Sequence, residues 1–96
     1  MKLAFTWDPS KEQHNRRKHR VGFAEAVTVF LDPLARIFDD PDHSADEHRE
    51  IIVGHSDGRQ LLLVVFVERE RDTIRIISAR PATPAERHDY QESIPH

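Results

Sequence analysis

The first predicted helix carries side chains whose chemistry suits proton transfer and anion binding. Four residues spaced i, i+4, i+7 and i+8 share one face of this helix: Lys11, Asn15, Lys18 and His19. An imidazole with an ordinary pKa near 6.5 can take up and return a proton near neutral pH, and an ammonium group binds phosphate. This face is therefore a candidate site for general acid–base chemistry on a charged substrate.

Three arginines of the predicted β-region form a second candidate group. Arg69 closes one strand, Arg75 lies within the next, and Arg80 stands at its exit. If these strands pair through the turn at 70–72, the guanidinium groups come together, and a one-residue slip in register reverses their face. Strict alternation places Ile74, Ile76 and Ser78 on one face and Arg75, Ile77 and Ala79 on the other. We expect the helix face to meet this arginine edge.

The charges are segregated along the chain, although the net charge is only −3. The net charge is +3 over 1–31, −6 over 32–58, +2 over 59–80 and −2 over 81–96. Exposed charges are screened beyond about 8 to 10 Å in physiological salt, so a basic patch can coexist with an acidic loop. The net charge therefore does not exclude a nucleic-acid partner.

Length and composition favour a single domain over 1–96 in the cytoplasm. A chain of 11.2 kDa with 38% hydrophobic residues is sufficient for one core and too short for two. The absence of cysteine excludes disulfides and thiolate chemistry and suits a reducing compartment. The N-terminal apolar stretch is too short, and polar residues follow it too early, for a signal peptide. The longest apolar run, 61–67, is far too short to span a membrane. We expect no membrane contact.

The order of predicted elements is typical of an α+β domain. We expect an antiparallel β-sheet with two N-terminal helices packed on one face and a short C-terminal helix. The strand at 61–67 is apolar on both sides, which predicts a central position. The predicted elements are a strand ending at Trp7, a helix capped by Asp8 and running to about His19, a helix over 23–30, a hairpin over 49–67, a strand over 73–79 and a helix after the capping box at 83–86.

An ordered set of motifs resembles the BrnT family of bacterial toxins over nearly the whole chain. The most specific motifs are Trp7-Asp8 followed by Lys11, and the run IRIISARPAT at 74–83. The other matching positions are Asn15, Lys18-His19, FAEAVTVF at 23–30 with Asp32-Pro33, EIIVG at 50–54, Leu63-Val64-Val65 leading to Glu68-Arg69, Glu86-Arg87 and Tyr90.

One position departs from that family's pattern. Members usually read Lys-His-Gly, whereas His19 is followed here by Arg20, and Gly22 comes two places later. A glycine after a helix supplies a left-handed turn at little cost. Either Arg20 prolongs the helix and Gly22 caps it, or Arg20 is strained.

The resemblance implies a RelE-like fold and the toxin of a type II toxin–antitoxin system that inhibits translation and growth by cutting RNA. It also implies a BrnA-type antitoxin, which forms a hetero-oligomer with the toxin and alone contacts operator DNA. Metal-independent cleavage needs a proton-transfer group and cations around the phosphate, with no cofactor. On this basis His19 moves protons; Lys18, Arg69 and Arg80 neutralise the phosphate; and RNA is bound by Lys11, Asn15, Arg49 and Arg75.

Other interpretations of the same residues stay open. A RelE-like domain without catalysis can serve as an interaction subunit that binds its antitoxin and modulates autorepression, and a free-standing nucleic-acid-binding module is a third possibility. Asn15 can equally be a helix–loop hydrogen bonder. The histidines at 43, 48 and 55 lie near several acids, but their spacing matches no established zinc pattern. The acidic stretch either keeps the protein soluble or contacts a basic element of the antitoxin.

Overall fold

The protein has a five-stranded sheet and three α-helices in a computed structural model, which describes residues 3–40 and 48–93. The predicted α+β class is confirmed. His43 and the acids at 42, 46 and 47 lie outside the described residues. In chain order the elements are β1 (Ala4–Thr6), α1 (Pro9–His19), α2 (Phe23–Thr28), a 3-10 turn (Val29–Leu31), β2 (Arg36–Asp39), β3 (Arg49–His55), β4 (Leu61–Arg69), β5 (Thr73–Pro81) and α3 (Pro84–Glu92).

The sheet has the strand order β1-β5-β4-β3-β2, with the apolar strand β4 in the predicted central position. Strands β2 to β5 pair antiparallel, as expected. In contrast, β1 runs parallel to β5, with Ala4 opposite Thr73 and Thr6 opposite Arg75. This direction sends the chain leaving β1 along the part of β5 that β1 does not cover. Helix α1 therefore lies against the edge of β5.

Both faces of the sheet are covered. The first face packs against α2 and the residues flanking it, where Phe23 and Ala26 are completely buried with Leu62 and Val64. Trp7 packs edge-on against Phe23 at a centroid distance of 6.0 Å, as a core residue. The second face packs against α3, whose Tyr90 is buried with four other residues, Ile51, Val53, Leu61 and Leu63.

A bulge in β5 alters the side-chain alternation predicted from the sequence. Val65 pairs with Ser78, but the next residue of β4, Phe66, pairs with Ile76, so Ile77 is an extra residue in β5. As a result Ala79 follows Ile76 into the core of the first face. The expected grouping of Ala79 with Arg75 on the opposite face is therefore wrong.

The helix ends follow local chemistry. Asp8 caps α1 by accepting a hydrogen bond from the Ser10 backbone N–H at 2.9 Å. The capping box between Thr83 and Glu86 begins α3 as predicted. Arg20 ends α1 in the left-handed region, with φ of 60°. Of the two expected possibilities, the structure therefore has the strained Arg20, and the helix does not continue to a cap at Gly22. No helix of the described ranges is long and apolar enough to cross a membrane.

Candidate active site

An open pocket of about 500 Å³ lies where α1 meets the bulge of β5. Five of the eight site residues predicted from the sequence line it, together with one histidine that was not predicted. The lining residues are Ser10, Lys11, His14, Asn15, Lys18, His19, Arg49, Ile77 and Ser78. The pocket thus collects cationic and titratable groups from two distant parts of the chain.

Asn15 fixes α1 to β5 at the floor of this pocket. Its side-chain amide donates to the backbone carbonyl oxygens of Ala79 at 2.8 Å and Val21 at 3.0 Å, and its oxygen accepts from the Ala79 N–H at 3.1 Å. The side chain is buried, and both of its N–H donors are used. Of the two interpretations of Asn15, the geometry supports the hydrogen bonder that joins elements.

Glu12 holds the connection between α1 and α2, a role that sequence reasoning missed. Its buried carboxylate accepts from the Arg16 guanidinium at 2.8 Å and from the Phe23 backbone N–H at 3.3 Å. The hydrogen bond from Arg16 is the main reason that the pKa of Glu12 is lowered, against the opposing effect of burial. A methyl group at Gly22 would approach this carboxylate to 3.2 Å, so the small residue suits the close packing.

The environment of His19 favours the neutral imidazole. Partial burial is the largest cause of its lowered pKa, and the positive charges of Lys18 and Arg80 and the neighbouring His14 lower it further. The group is therefore mainly deprotonated at neutral pH and can act as a proton acceptor. The charge effect also shows that Arg80 lies near His19, although it does not line the pocket.

Arg80 is held by an ion pair with α3. Its two terminal nitrogens donate to the two carboxylate oxygens of Glu86 at 2.7 and 2.8 Å. This bidentate contact is the main cause of a lowered pKa for Glu86, which falls from 4.5 to about 2. The guanidinium fork that was predicted to bind phosphate is therefore occupied by a carboxylate.

The predicted cluster of Arg69, Arg75 and Arg80 does not form. Arg69 pairs with Thr73 beside the turn, whereas Arg80 pairs with Leu63. Since β4 rises about 3.3 Å per residue, the six steps from 63 to 69 separate those levels by about 20 Å. Arg75 and Arg80 are likewise five residues apart along β5. Neither Arg69 nor Arg75 lines the pocket.

Two residues of the pocket show what the sequence pattern could and could not reveal. His14 lies three residues after Lys11 and four before Lys18, so helical spacing alone places it on the predicted face. Arg49 lies in β3, opposite Val67 of the central strand, yet it lines the same pocket as His19. No local pattern joins those two residues, because the sheet pairing brings them together.

A second polar cluster joins β3, α3 and the chain before β2. Asp32 accepts from the Tyr90 hydroxyl and the His55 backbone N–H, both at 2.8 Å, and from the Leu34 N–H at 2.9 Å. Burial alone would raise the pKa of Asp32, but these donors together lower it. Burial, and then the Asp32 carboxylate, raise the pKa of Tyr90 to about 12. This cluster anchors α3.

One further group has the donor types of a metal site. Donor atoms of Asp39, His48 and Glu50 lie within 4.8 Å of one another across β2 and the start of β3, and His48 contacts Asp39 at 3.0 Å. Asp39 and His48 are exposed. None of the three lines the pocket of α1.

Comparison with known proteins gives this pocket its context. The profile of the ribonuclease toxin BrnT of type II toxin–antitoxin systems matches residues 7–86. The chain belongs to the BrnT family. A crystal structure of the Brucella abortus ribonuclease toxin, BrnT, is 29% identical, covers 85% of this chain and 99% of its own, and superposes with a TM-score of 0.67. No curated protein matches the sequence.

The BrnT match includes every residue that lines the pocket. It begins at Trp7, immediately before the cap of α1, and ends at Glu86, the partner of Arg80. The remainder of α3, with Tyr90, lies beyond the matched range. As a BrnT toxin of a type II system, the protein has an antitoxin as its partner.

Proposed function

We propose that this BrnT toxin is an endoribonuclease that cuts RNA by metal-independent transesterification in the α1 pocket. The observation that carries the proposal is the convergence of His19, with its lowered pKa, and the cations Lys11, Lys18 and Arg49 around one open pocket. A neutral imidazole surrounded by positive charge suits proton abstraction beside a bound phosphate.

In this mechanism His19 takes the proton from the ribose 2′-hydroxyl. The 2′-oxygen bonds to phosphorus, and the bond from phosphorus to the 5′-oxygen breaks. We assign protonation of the departing 5′-oxygen to His14, which lines the pocket five residues earlier on the helix. The products are a 2′,3′-cyclic phosphate and a 5′-hydroxyl. No metal or cofactor takes part in these steps.

The cations have separate parts in this proposal. Lys18 adjoins His19 and binds the scissile phosphate, while Lys11 and Arg49 bind the flanking RNA. Arg80 releases the Glu86 carboxylate and then binds the phosphate with the same two nitrogens. Asn15 is a positioning residue. The parts of Arg69 in neutralising phosphate and Arg75 in binding RNA rest on the family resemblance.

The biological setting follows from the family. RNA cleavage in the cytoplasm inhibits translation and growth, and a BrnA-type antitoxin encoded beside the toxin neutralises it in a hetero-oligomer. The complex contacts operator DNA through the antitoxin alone.

A cleavage assay with purified protein tests the chemistry. We expect His19→Ala to slow RNA cleavage by about 10² to 10⁴-fold and Arg80→Ala by about 10² to 10³-fold. Gln13→Ala, on the same helix but outside the pocket lining, is the matched control. A 2′-deoxy substitution at the cut site should abolish cleavage, and EDTA should not. Undiminished cleavage by both pocket variants would refute the assignment.

The Arg80–Glu86 ion pair favours a second candidate function. If Arg80 does not leave Glu86, the phosphate loses one of its cations, and the protein acts as an interaction subunit that modulates autorepression. Growth arrest on induction, with rescue by the neighbouring gene, separates the ribonuclease from this alternative.

A further inference from the structure

Strand β2 is an edge strand of the sheet. Among residues 3–40 and 48–93, it pairs only with β3, and all four of its residues are exposed. The Asp40 N–H bonds to the Arg49 carbonyl oxygen at 3.0 Å. Because inward and outward groups alternate along an antiparallel strand, the backbone N–H and C=O groups of Ile37 and Asp39 point away from the sheet. They can pair with another strand.

The surface around this edge is apolar. Ile37 and Phe38 are 55% and 47% exposed, and Leu31 and Leu34 are exposed just before them. A groove of about 230 Å³ runs between β2 and α3, with Phe38, Val53 and Tyr90 among its lining residues. An exposed edge next to an apolar groove is typical of a surface that binds an extended peptide.

Acidic side chains outnumber basic ones around this groove, whose lining includes Glu86 and Asp89 but also Arg36. Asp89 lines the groove on α3, and Glu92 follows it one turn later. Asp39 is the last residue of β2. These charges complement a basic partner.

We propose that the antitoxin adds an extended segment to β2 as a sixth strand, with apolar side chains in the α3 groove and basic side chains toward Asp89. This inference rests on the proposed toxin–antitoxin function and names the surface that the partner uses. The backbone groups of Ile37 and Asp39 supply the pairing, and Phe38 supplies the apolar contact.

A second copy of the chain fits this edge less well. If two copies paired their β2 strands antiparallel, the two-fold axis would be perpendicular to the sheet, and either Ile37 or Phe38 would lie opposite its own copy. With Ile37 at the axis, Arg36 of one copy lies opposite Phe38 of the other. With Phe38 at the axis, Ile37 lies opposite Asp39, so neither register places Arg36 directly opposite Asp39 to form an ion pair. Either register also brings two acidic segments together, at a cost in like-charge repulsion.

The proposed docking residues lie outside the proposed catalytic pocket. Three strand spacings, about 14 Å, separate β2 from β5, and the one pocket residue on the neighbouring strand β3 is Arg49, which is next to Asp40 beyond the end of β2. None of Ile37, Phe38 and Asp89 lines the α1 pocket. Variants at these positions can therefore lose the antitoxin and keep RNA cleavage.

The test measures the affinity of the purified toxin for the antitoxin encoded beside it. Ile37→Pro removes the outward N–H, and we expect an affinity loss of at least about 10-fold. The matched Ile37→Thr keeps that N–H and the β-branched shape, so its loss should stay below about 3-fold. Phe38→Asp should lose at least about 30-fold. Leu3→Asp, an exposed apolar residue at the opposite end of the sheet, should bind normally.

Hydrogen exchange of the unmodified toxin provides a readout that no folding defect can affect. The amides of Ile37 and Asp39 should exchange at least about 10-fold more slowly once the antitoxin is added. Unchanged exchange at both amides overturns the proposal, as does normal binding by the folded Ile37→Pro and Phe38→Asp variants. A toxin dimer that Ile37→Pro dissolves, with unchanged antitoxin affinity, assigns the edge to a second copy and also overturns it. If the expected binding pattern holds but the unmodified toxin does not cleave RNA, the docking surface stands and the ribonuclease proposal fails.

Discussion

The side-chain amide of Asn15 binds both backbone groups of Ala79, accepting from its N–H and donating to its carbonyl. The two residues are 64 positions apart in the sequence. Strand β1 pairs with β5 only as far as Arg75, and beyond that point the Asn15 side chain bonds to the β5 backbone in place of a neighbouring strand. A helix side chain thus satisfies the backbone of an open strand beside the bulge. The position of α1, and with it that of His19, depends on this contact.

Asn15→Ala should destabilise the protein by about 2–4 kcal/mol. The change leaves the Ala79 N–H and two carbonyl oxygens without their side-chain partner, in a buried location. Urea denaturation followed by circular dichroism measures the free energy of unfolding. Gln13→Ala, on the exposed side of the same helix, should change it by less than about 0.5 kcal/mol. Equal values for both variants would contradict the role of Asn15.

The pH dependence of RNA cleavage should report the titration of His19. A base acts when deprotonated, so the acid limb of the activity profile should lie below pH 6.5 because the pKa of His19 is lowered. Lys18→Met removes one of the charges that lower this pKa, which moves the acid limb to higher pH. The charge of Lys11 is not among the causes of the lowered His19 pKa, so Lys11→Met should leave the midpoint of the acid limb in place. Nuclear magnetic resonance titration of the imidazole checks the same order without catalysis.

Arg20→Gly should increase the free energy of unfolding by about 0.5–1 kcal/mol. Arg20 adopts φ of 60° and ψ of 30°, a conformation that costs a non-glycine residue free energy and glycine very little. The hydrogen bond from the residue 20 N–H to the Arg16 carbonyl remains, since it uses only backbone. Thermal unfolding of both proteins measures the difference. A loss of stability would show that the arginine side chain compensates for the backbone strain.

Glu86→Gln should lower stability at pH 7 by about 1 kcal/mol, after allowance for solvent screening of a partly exposed pair. Glutamine can still accept from the Thr83 N–H in the capping box but loses the charge opposite Arg80. Because the pKa of Glu86 is lowered from 4.5 to about 2, its contribution is present above 4.5 and is lost as pH falls toward 2. Urea denaturation at a series of pH values should show the two proteins converging over that interval.

Tyr90 should titrate near pH 12 in the folded protein. It is the only tyrosine in the chain, so ultraviolet absorbance reports its ionisation directly. Since its pKa is raised from 10 to about 12, the stabilisation is complete below pH 10 and is lost as pH rises through 12. Asp32→Asn keeps an acceptor oxygen but removes the charge, so the midpoint should fall toward 10. An unshifted midpoint in that variant would mean that burial alone raises the pKa.

Local signals in the sequence predicted most of the elements. Asp8 and the box of Thr83 and Glu86 mark helix starts because the side chains that satisfy free backbone donors lie within a few positions. The apolar run of β4 marks a central strand because both of its faces are buried. Helical spacing likewise placed Lys11, Lys18 and His19 on one surface.

The features that sequence did not predict depend on contacts between distant segments. One extra residue at Ile77 reverses the faces that follow it, and no local motif marks the insertion. The expected arginine cluster fails for another reason, because Arg80 pairs with Leu63 and Arg69 lies six residues farther along β4. A parallel and an antiparallel arrangement of β1 both satisfy the same apolar alternation, so the sequence pattern did not determine the direction of this strand.

The parallel pairing of β1 with β5 sets when a newly made chain can become active. The first strand has no partner until residues 73–75 have been synthesised, and the Asn15 contact needs Ala79 as well. Such long-range pairing is slow to form and contributes only late in folding. Chains that stop before about 80 residues lack one wall of the pocket, so unfinished products of translation should be harmless to the cell that makes them.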